Sequence, residues 1–458
     1  MIRIMKWFGY LVLAGIVTGL GYLVFLPPEL LRVGSNYTAK IVCSNVFLAN
    51  RDAKDVLAVD VQAPGHPLLR LMRINVDPSE GSVRAGIFGF IAPGMAVMRD
   101  ASLGCSSLPS LDDRDLVQAS MQPLDVQLDS NQPWPVGNQV EFDPQSTVSK
   151  LLEDEELVGP GMRAVVVVRD GEIVGERYGE GFNAQTPLLG WSTTKSVTAA
   201  LIGRAIREGN MTLDGDVSDV FGWDDDRQAI KLVDLMAMAG DLQWNEGYGS
   251  VSDVTRMLYL EKDMARFVAN RPLDTQTDKG IGENFNYSSG TTVLLSRIWQ
   301  RAFGDVSDAV AFPHRALFGP LGMESAVMEM DAAGTYVGSS YMYATARDWA
   351  RFGQFMLQRG VWEGRSLLPI GYVDWMTATH PASDAQYANS QVWKRAANAW
   401  LPGDNPELPA DAFFMNGHDG QSISVVPSEG LVVVRLGLTP TDRQYKVAFL
   451  LRALINTP

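Results

Sequence analysis

The longest apolar feature comes first: Trp7–Leu26 is a run of twenty residues without a charge. At about 1.5 Å per residue a helix of that length spans roughly 30 Å, the thickness of a bilayer core. Shorter pieces lie beyond it. Val56–Val61, Leu68–Val76 and Val83–Val97 are apolar stretches with Gly and Pro between them, which predicts a small β-rich module over residues 36–105. Residues 106–144 are rich in Asp, Ser, Gln and Pro and predict a linker. From residue 145 the rhythm changes. Met162–Val168 is a β-branched run, Arg169-Asp170-Gly171 is a turn signal and Glu172–Tyr178 alternates, so a hairpin is predicted. Ser422–Val426 and Leu431–Leu436 flank Pro427-Ser428-Glu429-Gly430 in a second hairpin. Within Arg443–Ile455, Val447, Leu450, Leu451 and Leu454 share one helical face. Between the hairpins the spacing is mainly helical. Residues 145–458 therefore predict an α/β (α+β) domain: an antiparallel sheet from both ends of the segment, flanked by helices, with a helical subdomain inserted.

The flanks of the first run give it a direction. Arg3 and Lys6 precede it, so the positive-inside rule leaves the N-terminus in the cytoplasm and exports the rest of the chain. A cleaved secretory signal is the competing reading. The length of the run, and Phe25-Leu26-Pro27-Pro28-Glu29 in place of a small-x-small site, favour an uncleaved anchor over residues 1–35. The expectation is a single-pass protein of the inner (cytoplasmic) membrane, held through that transmembrane helix, with its body in the periplasm or outside. Cys43 and Cys105 are the only cysteines, and in an oxidising compartment they are expected to pair. Two buried free thiols are the alternative.

Charge and composition then remove whole classes of function. A formal charge of −15 argues against nucleic acid, whose phosphates need a Lys/Arg surplus. His66, His314, His380 and His418 show no metal-ligand spacing, so neither metal nor cofactor is expected. Nothing in the pattern specifies an oligomeric state.

The candidate chemistry starts at Ser192-Thr193-Thr194-Lys195. Val197, Leu201, Ile202, Ala205 and Ile206 continue at helical spacing, so Ser192 falls at a helix start and Lys195 one turn on, on the same face. A serine hydroxyl is a weak nucleophile without a base or cation in reach, and a helix N-terminus offers N–H groups to an oxyanion. Ser-x-x-Lys also arises by chance in a chain of this length. A second element is Asn286-Tyr287-Ser288-Ser289-Gly290, ahead of another helical stretch. Tyr287 reads either as a packed ring or as a phenol whose ionised form a lysine stabilises. The third is Gly417-His418-Asp419-Gly420-Gln421, entering the second hairpin. There glycine allows close backbone approach, and His418 could equally be an ordinary surface residue.

In this order the three elements resemble the serine β-lactamase and penicillin-binding protein superfamily, with its Ser-x-x-Lys, Tyr-x-Asn and Lys-Thr-Gly signature. The likeness is greatest to the class C β-lactamase-like branch of esterases, peptidases and 6-aminohexanoate-dimer hydrolases, and covers roughly residues 145–458. It implies a β-lactamase-like fold and an ester- or amide-cleaving serine hydrolase working through an acyl-enzyme on a small molecule. Ser192 would be nucleophile, Lys195 and Tyr287 its activating pair. Ser289 would orient Lys195 or the substrate, and the N–H groups of Ser192 and Gln421 would form the oxyanion hole. Two departures stand out: Ser289 replaces an amide side chain, and His418-Asp419-Gly420 lacks the lysine. A D-alanyl peptidase or β-lactamase, and a membrane sensor that is acylated without turnover, are the alternatives.

Overall fold

The computed structural model describes residues 2–109, 116, 131–276 and 278–457. Residues 110–115 and 117–130, about half of the predicted linker over 106–144, lie outside the described residues. Contacts divide the chain into two units. One holds Met1–Arg99, Cys105–Leu116 and Glu246–Lys262; the other holds Asp100–Gly104, Val117–Asn245 and Asp263–Pro458.

In the first unit, Ile2–Phe25 forms helix α1. The expected membrane span is nevertheless overturned: among the described residues no helix is long and apolar enough to cross a membrane. The transmembrane helix, and the membrane as a partner through it, are corrected accordingly. Helix α2 (Glu29–Phe47) comes next, then the antiparallel sheet β1 (Met72–Asp77), β2 (Ser82–Ile87), β3 (Ile91–Asp100) and β4 (Gly104–Leu108), in that order. Val56–Gln62, an apolar stretch expected in a β-rich module, is helical instead. Asn36 ties α2 to its neighbours. Its Oδ1 accepts from Met95 N at 3.2 Å, and its Nδ2 donates to Tyr259 O at 2.8 Å on the helix Asp253–Leu260. A segment from deep in the sequence thus belongs to this unit.

The second unit carries both predicted hairpins. Strands β5 (Met162–Arg169) and β6 (Glu172–Tyr178) precede helices α3 (Thr194–Arg207), α4 (Ser289–Arg301) and α5 (Ala346–Leu357). Strands β7 (Phe413–Gly417), β8 (Gln421–Val426) and β9 (Leu431–Gly437) and helix α6 (Val447–Ile455) close the chain. The five-stranded sheet runs β7-β8-β9-β5-β6. The two ends of the sequence meet at its centre, where Leu431 faces Arg169 and Val434 faces Val166 in antiparallel register. Because strand side chains alternate, Val165, Val167, Leu431 and Val433 join Leu450, Leu451 and Leu454 of α6 in one core. Val432, on the other face, lies against Gly353 of α5.

Cys43 of α2 and Cys105 of β4 form a disulfide, and both are fully buried. It spans 62 residues, and in the chain-entropy account a loop of that length stabilises the native state by about 4 kcal/mol. A digest made without reductant is expected to yield the cross-linked 43–105 peptide, and reduction to lower the first unfolding transition by that order. Two free thiols in protein made in an oxidising compartment would refute the pairing.

Candidate functional site

Ser192 sits in a tight turn, Trp191–Thr193, that runs directly into α3. Two threonines close the turn: Thr193 Oγ1 donates to Gly190 O at 2.9 Å and Thr194 Oγ1 to Trp191 O at 2.6 Å. Trp191 is held at φ +49°, a left-handed conformation that costs a bulky residue roughly 1–3 kcal/mol. Its ring meets His418 edge-on at 5.7 Å and Tyr341 at 6.0 Å, and such packing keeps the strained conformer in place. The turn presents a half-buried Ser192 at the amino end of α3.

Lys195, one turn on and 1% exposed, directs its ammonium back at that hydroxyl. Nζ donates to Ser192 Oγ at 3.0 Å, to Ser289 Oγ at 2.9 Å and to Ser339 O at 3.0 Å. It also lies 4.9 Å from the centre of the Tyr287 ring. Ser289 and Tyr287 are delivered by the start of α4. Ser288 Oγ caps that helix by accepting from Thr291 N at 3.0 Å, and Asn286 N donates to Met238 O at 2.9 Å. Tyr287 is packed between Trp393 at 5.0 Å and Tyr387 at 6.0 Å.

The third element is a turn. Residues His418–Gly420 link β7 to β8, with Asp419 at φ +55° and Gly420 at φ +82°. Gly417 ends β7 against the carbonyl of Gly190, so close that a Cβ would collide with it. Glycine is thus required where the sheet edge approaches the Ser192 turn. The His418 side chain is 39% exposed, with Nε2 3.4 Å from Asp419 Oδ1. Gln421 is only 2% exposed, and its side chain is bound within the sheet, to His418 O, Asp419 O and both polar backbone atoms of Gly437.

Ser192, Lys195, Tyr287 and Ser289 are therefore brought together, with His418 beside them. Gly420 is the last residue of the turn, and the Gln421 side chain lies behind it. Sequence reasoning missed Ser339, although the small run Gly338-Ser339-Ser340 is a readable sign of close packing: Gly338 O accepts from Thr198 Oγ1 on α3 at 2.9 Å. It also missed Gln391, which no local pattern marks. Gln391 O accepts from Ser196 Oγ of α3 (2.6 Å), Oε1 accepts from Thr292 Oγ1 of α4 (2.7 Å), and Nε2 donates to Met236 O (2.9 Å). Among the described residues no cluster of His, Cys, Asp or Glu is placed to hold a metal ion.

A buried lysine between two serine hydroxyls at a helix start, beside a sheet edge, matches a known pattern: the family model described as Beta-lactamase covers residues 153–455. The chain belongs to the β-lactamase family. It is a hydrolase of that family. A 6-aminohexanoate-dimer hydrolase from Paenarthrobacter ureafaciens is 27% identical over 302 residues, 60% of this chain and 72% of that protein. Among solved structures, a Bacillus anthracis protein provisionally named as a 6-aminohexanoate-dimer hydrolase aligns with TM-score 0.55 and 23% identity, over 74% of this chain and 86% of its own. A penicillin-binding protein from Bacillus halodurans aligns with TM-score 0.51 and 15% identity, over 67% and 98%. These two likenesses show the β-lactamase fold.

The Gln391 knot has a measurable weight. Gln391→Ala leaves Thr292 Oγ1 and Met236 O without their buried partners, and is expected to cost about 1–3 kcal/mol. Calorimetry of the second unit's transition tests this; a loss under about 0.5 kcal/mol would show that the knot is not what joins α3 to α4.

Proposed function

We propose that the protein cleaves a small-molecule ester or amide through an acyl-enzyme on Ser192, with Lys195 and Tyr287 moving its proton. The observation that carries this reading is the set of acceptors around Lys195 Nζ. A carbonyl can only accept, so Ser339 O fixes one N–H of the lysine. With a second N–H on Ser289 Oγ, a neutral amine turns its lone pair to the Ser192 hydroxyl, and an ammonium donates in all three directions. The same cradle thus suits both protonation states. Ser289 orients Lys195, and the Tyr287 phenol stands ready to shuttle the proton to the leaving group.

The oxyanion would be bound by the N–H of Ser192 and by a second N–H from the hairpin turn. The sequence pointed to Gln421 for that donor; the position of His418 favours His418 instead. Phe414 turns its own N–H and carbonyl to Trp393, away from β8, so by alternation the Gly417 carbonyl turns to β8 and the His418 N–H, opposite it in a trans peptide, points off the outer edge of the sheet, at the strand end where Gly190 O abuts Gly417. The His418 side chain and the Tyr387–Trp393 wall supply no fixed cation for a substrate carboxylate. Uncharged amides and esters suit such a site, and the relative from Paenarthrobacter ureafaciens, named for hydrolysis of an amide-linked dimer, supports amides. The Cys43–Cys105 disulfide supports work in an oxidising compartment.

Ser192→Ala is expected to abolish covalent labelling by a fluorophosphonate, and unchanged labelling would remove Ser192 from the mechanism. Lys195→Ala and Tyr287→Phe should each lower turnover by about a hundredfold or more in folded protein. On one preparation, kcat/KM for a short-chain p-nitrophenyl ester should exceed that for a chromogenic cephalosporin. A cephalosporin preferred by about tenfold, or 1.4 kcal/mol, would make a β-lactamase the better reading.

A further inference from the structure

Behind the turn that carries His418 lies a cation that the mechanism above does not use. Arg435 of β9 is fully buried. Its Nε donates to Val158 O at 3.0 Å, Nη1 to Gly420 O at 3.0 Å, and Nη2 to Pro160 O at 3.2 Å, Gly159 O at 3.5 Å and Thr439 Oγ1 at 2.7 Å. The guanidinium carbon lies 4.6 Å from the centre of the Tyr445 ring. None of these partners is a carboxylate. Burying a cation without a carboxylate partner is expensive. Three of the bonds hold the Val158–Pro160 segment ahead of β5, and one, from Nη1, reaches the turn.

What it holds is one side of the turn. Three successive carbonyls are bound: His418 O by Gln421 Nε2 at 2.9 Å, Asp419 O by Thr439 N at 2.8 Å, and Gly420 O by Arg435. Gly420 sits so close to Nη1 that a Cβ would come within 2.9 Å of it. With its carbonyls tied to β9 and the residues after it, the turn cannot rotate its peptides. Left-handed residues such as Asp419 and Gly420 would otherwise flip readily.

We propose that Arg435 is a positioning residue for the oxyanion site: it clamps the His418–Gly420 turn so that the His418 N–H is preorganised for the developing negative charge. The proposal rests on the reading that this N–H binds the oxyanion. Arg435 touches no substrate. Its effect belongs to the transition state, because the carbonyl oxygen acquires charge only there, and a preset donor needs no reorganisation at that moment.

The test separates the two claims. Acylation of Ser192 in the full chain is followed as p-nitrophenol release from a short-chain p-nitrophenyl ester and from its thionoester, each rate taken relative to reaction with hydroxide. An oxyanion hole built for oxygen favours the ester over the larger, weakly accepting sulfur. If the wild-type protein shows no preference, the hole reading itself fails. If it does, Arg435→Met is expected to slow the ester about a hundredfold, the thionoester far less, and to leave KM within about threefold. The preference then falls by at least about tenfold, and Arg435→Lys, which keeps the charge but not the fork, restores only part of it. A folded Arg435→Met protein with the wild-type preference overturns the proposal while leaving the hole reading intact. Should circular dichroism show Arg435→Met unfolded, Arg435→Lys alone carries the comparison, and a folded Arg435→Lys protein with the full wild-type preference overturns the proposal.

Discussion

The site depends on one buried ammonium that must find three acceptors in the right directions. Lys195 is almost wholly withdrawn from water, so each of its donors has to be met by protein. The acceptors come from three separate parts of the chain: the Ser192 turn, the start of α4 and the loop at Ser339. Much of the surrounding structure serves to keep them there. Gln391 links α3 to α4, Gly338 lets the Ser339 segment come down onto α3, and the two threonines after Trp191 shape the turn. Loss of an acceptor at Ser192, Ser289 or Ser339 would leave a buried polar group partly unpaired, which is more costly than loss of an ordinary contact.

A second constraint is geometric. The edge of the five-stranded sheet must come within van der Waals reach of the backbone ahead of Ser192, and only a residue without a side chain can stand at Gly417. Trp191 takes up the strain on the other side of that approach, in a left-handed conformation fixed by ring packing. The Ser192 turn and the sheet edge are thus matched surfaces rather than flexible loops. Rigidity of this kind is what an electrostatic catalyst needs, since donors that must first reorient lose most of their advantage.

Much of this is legible in the residues. Both hairpins, the terminal helix, the sheet assembled from the two ends of the segment and the Ser192–Lys195 relation come from local periodicity and turn chemistry, which are short-range signals. The strand Phe413–Gly417 leaves no such sign, because its five residues carry no alternation to set them apart from the loop before them. Ser339 and Gln391 act through a carbonyl and an amide in loops, and no sequence pattern encodes which distant helix a loop carbonyl will face. Analogy with a lysine motif puts His418 on a strand. The left-handed Asp419 and Gly420 make the segment a turn and draw the candidate donor three residues upstream of Gln421.

The pairing at the centre of the sheet has a consequence in time as well as in space. Met162 lies opposite Gly437, so the middle of the sheet closes only when nearly the whole chain exists. Such long-range pairing is slow, and a nascent chain that has emerged as far as α4 holds Ser192, Lys195 and Tyr287 but no β9 to complete the sheet beneath them. Synthesis of the site's residues therefore runs ahead of the closing of the sheet by more than a hundred residues (from α4 to β9). The topology acts as a delay, and the sheet is closed by its own last strand.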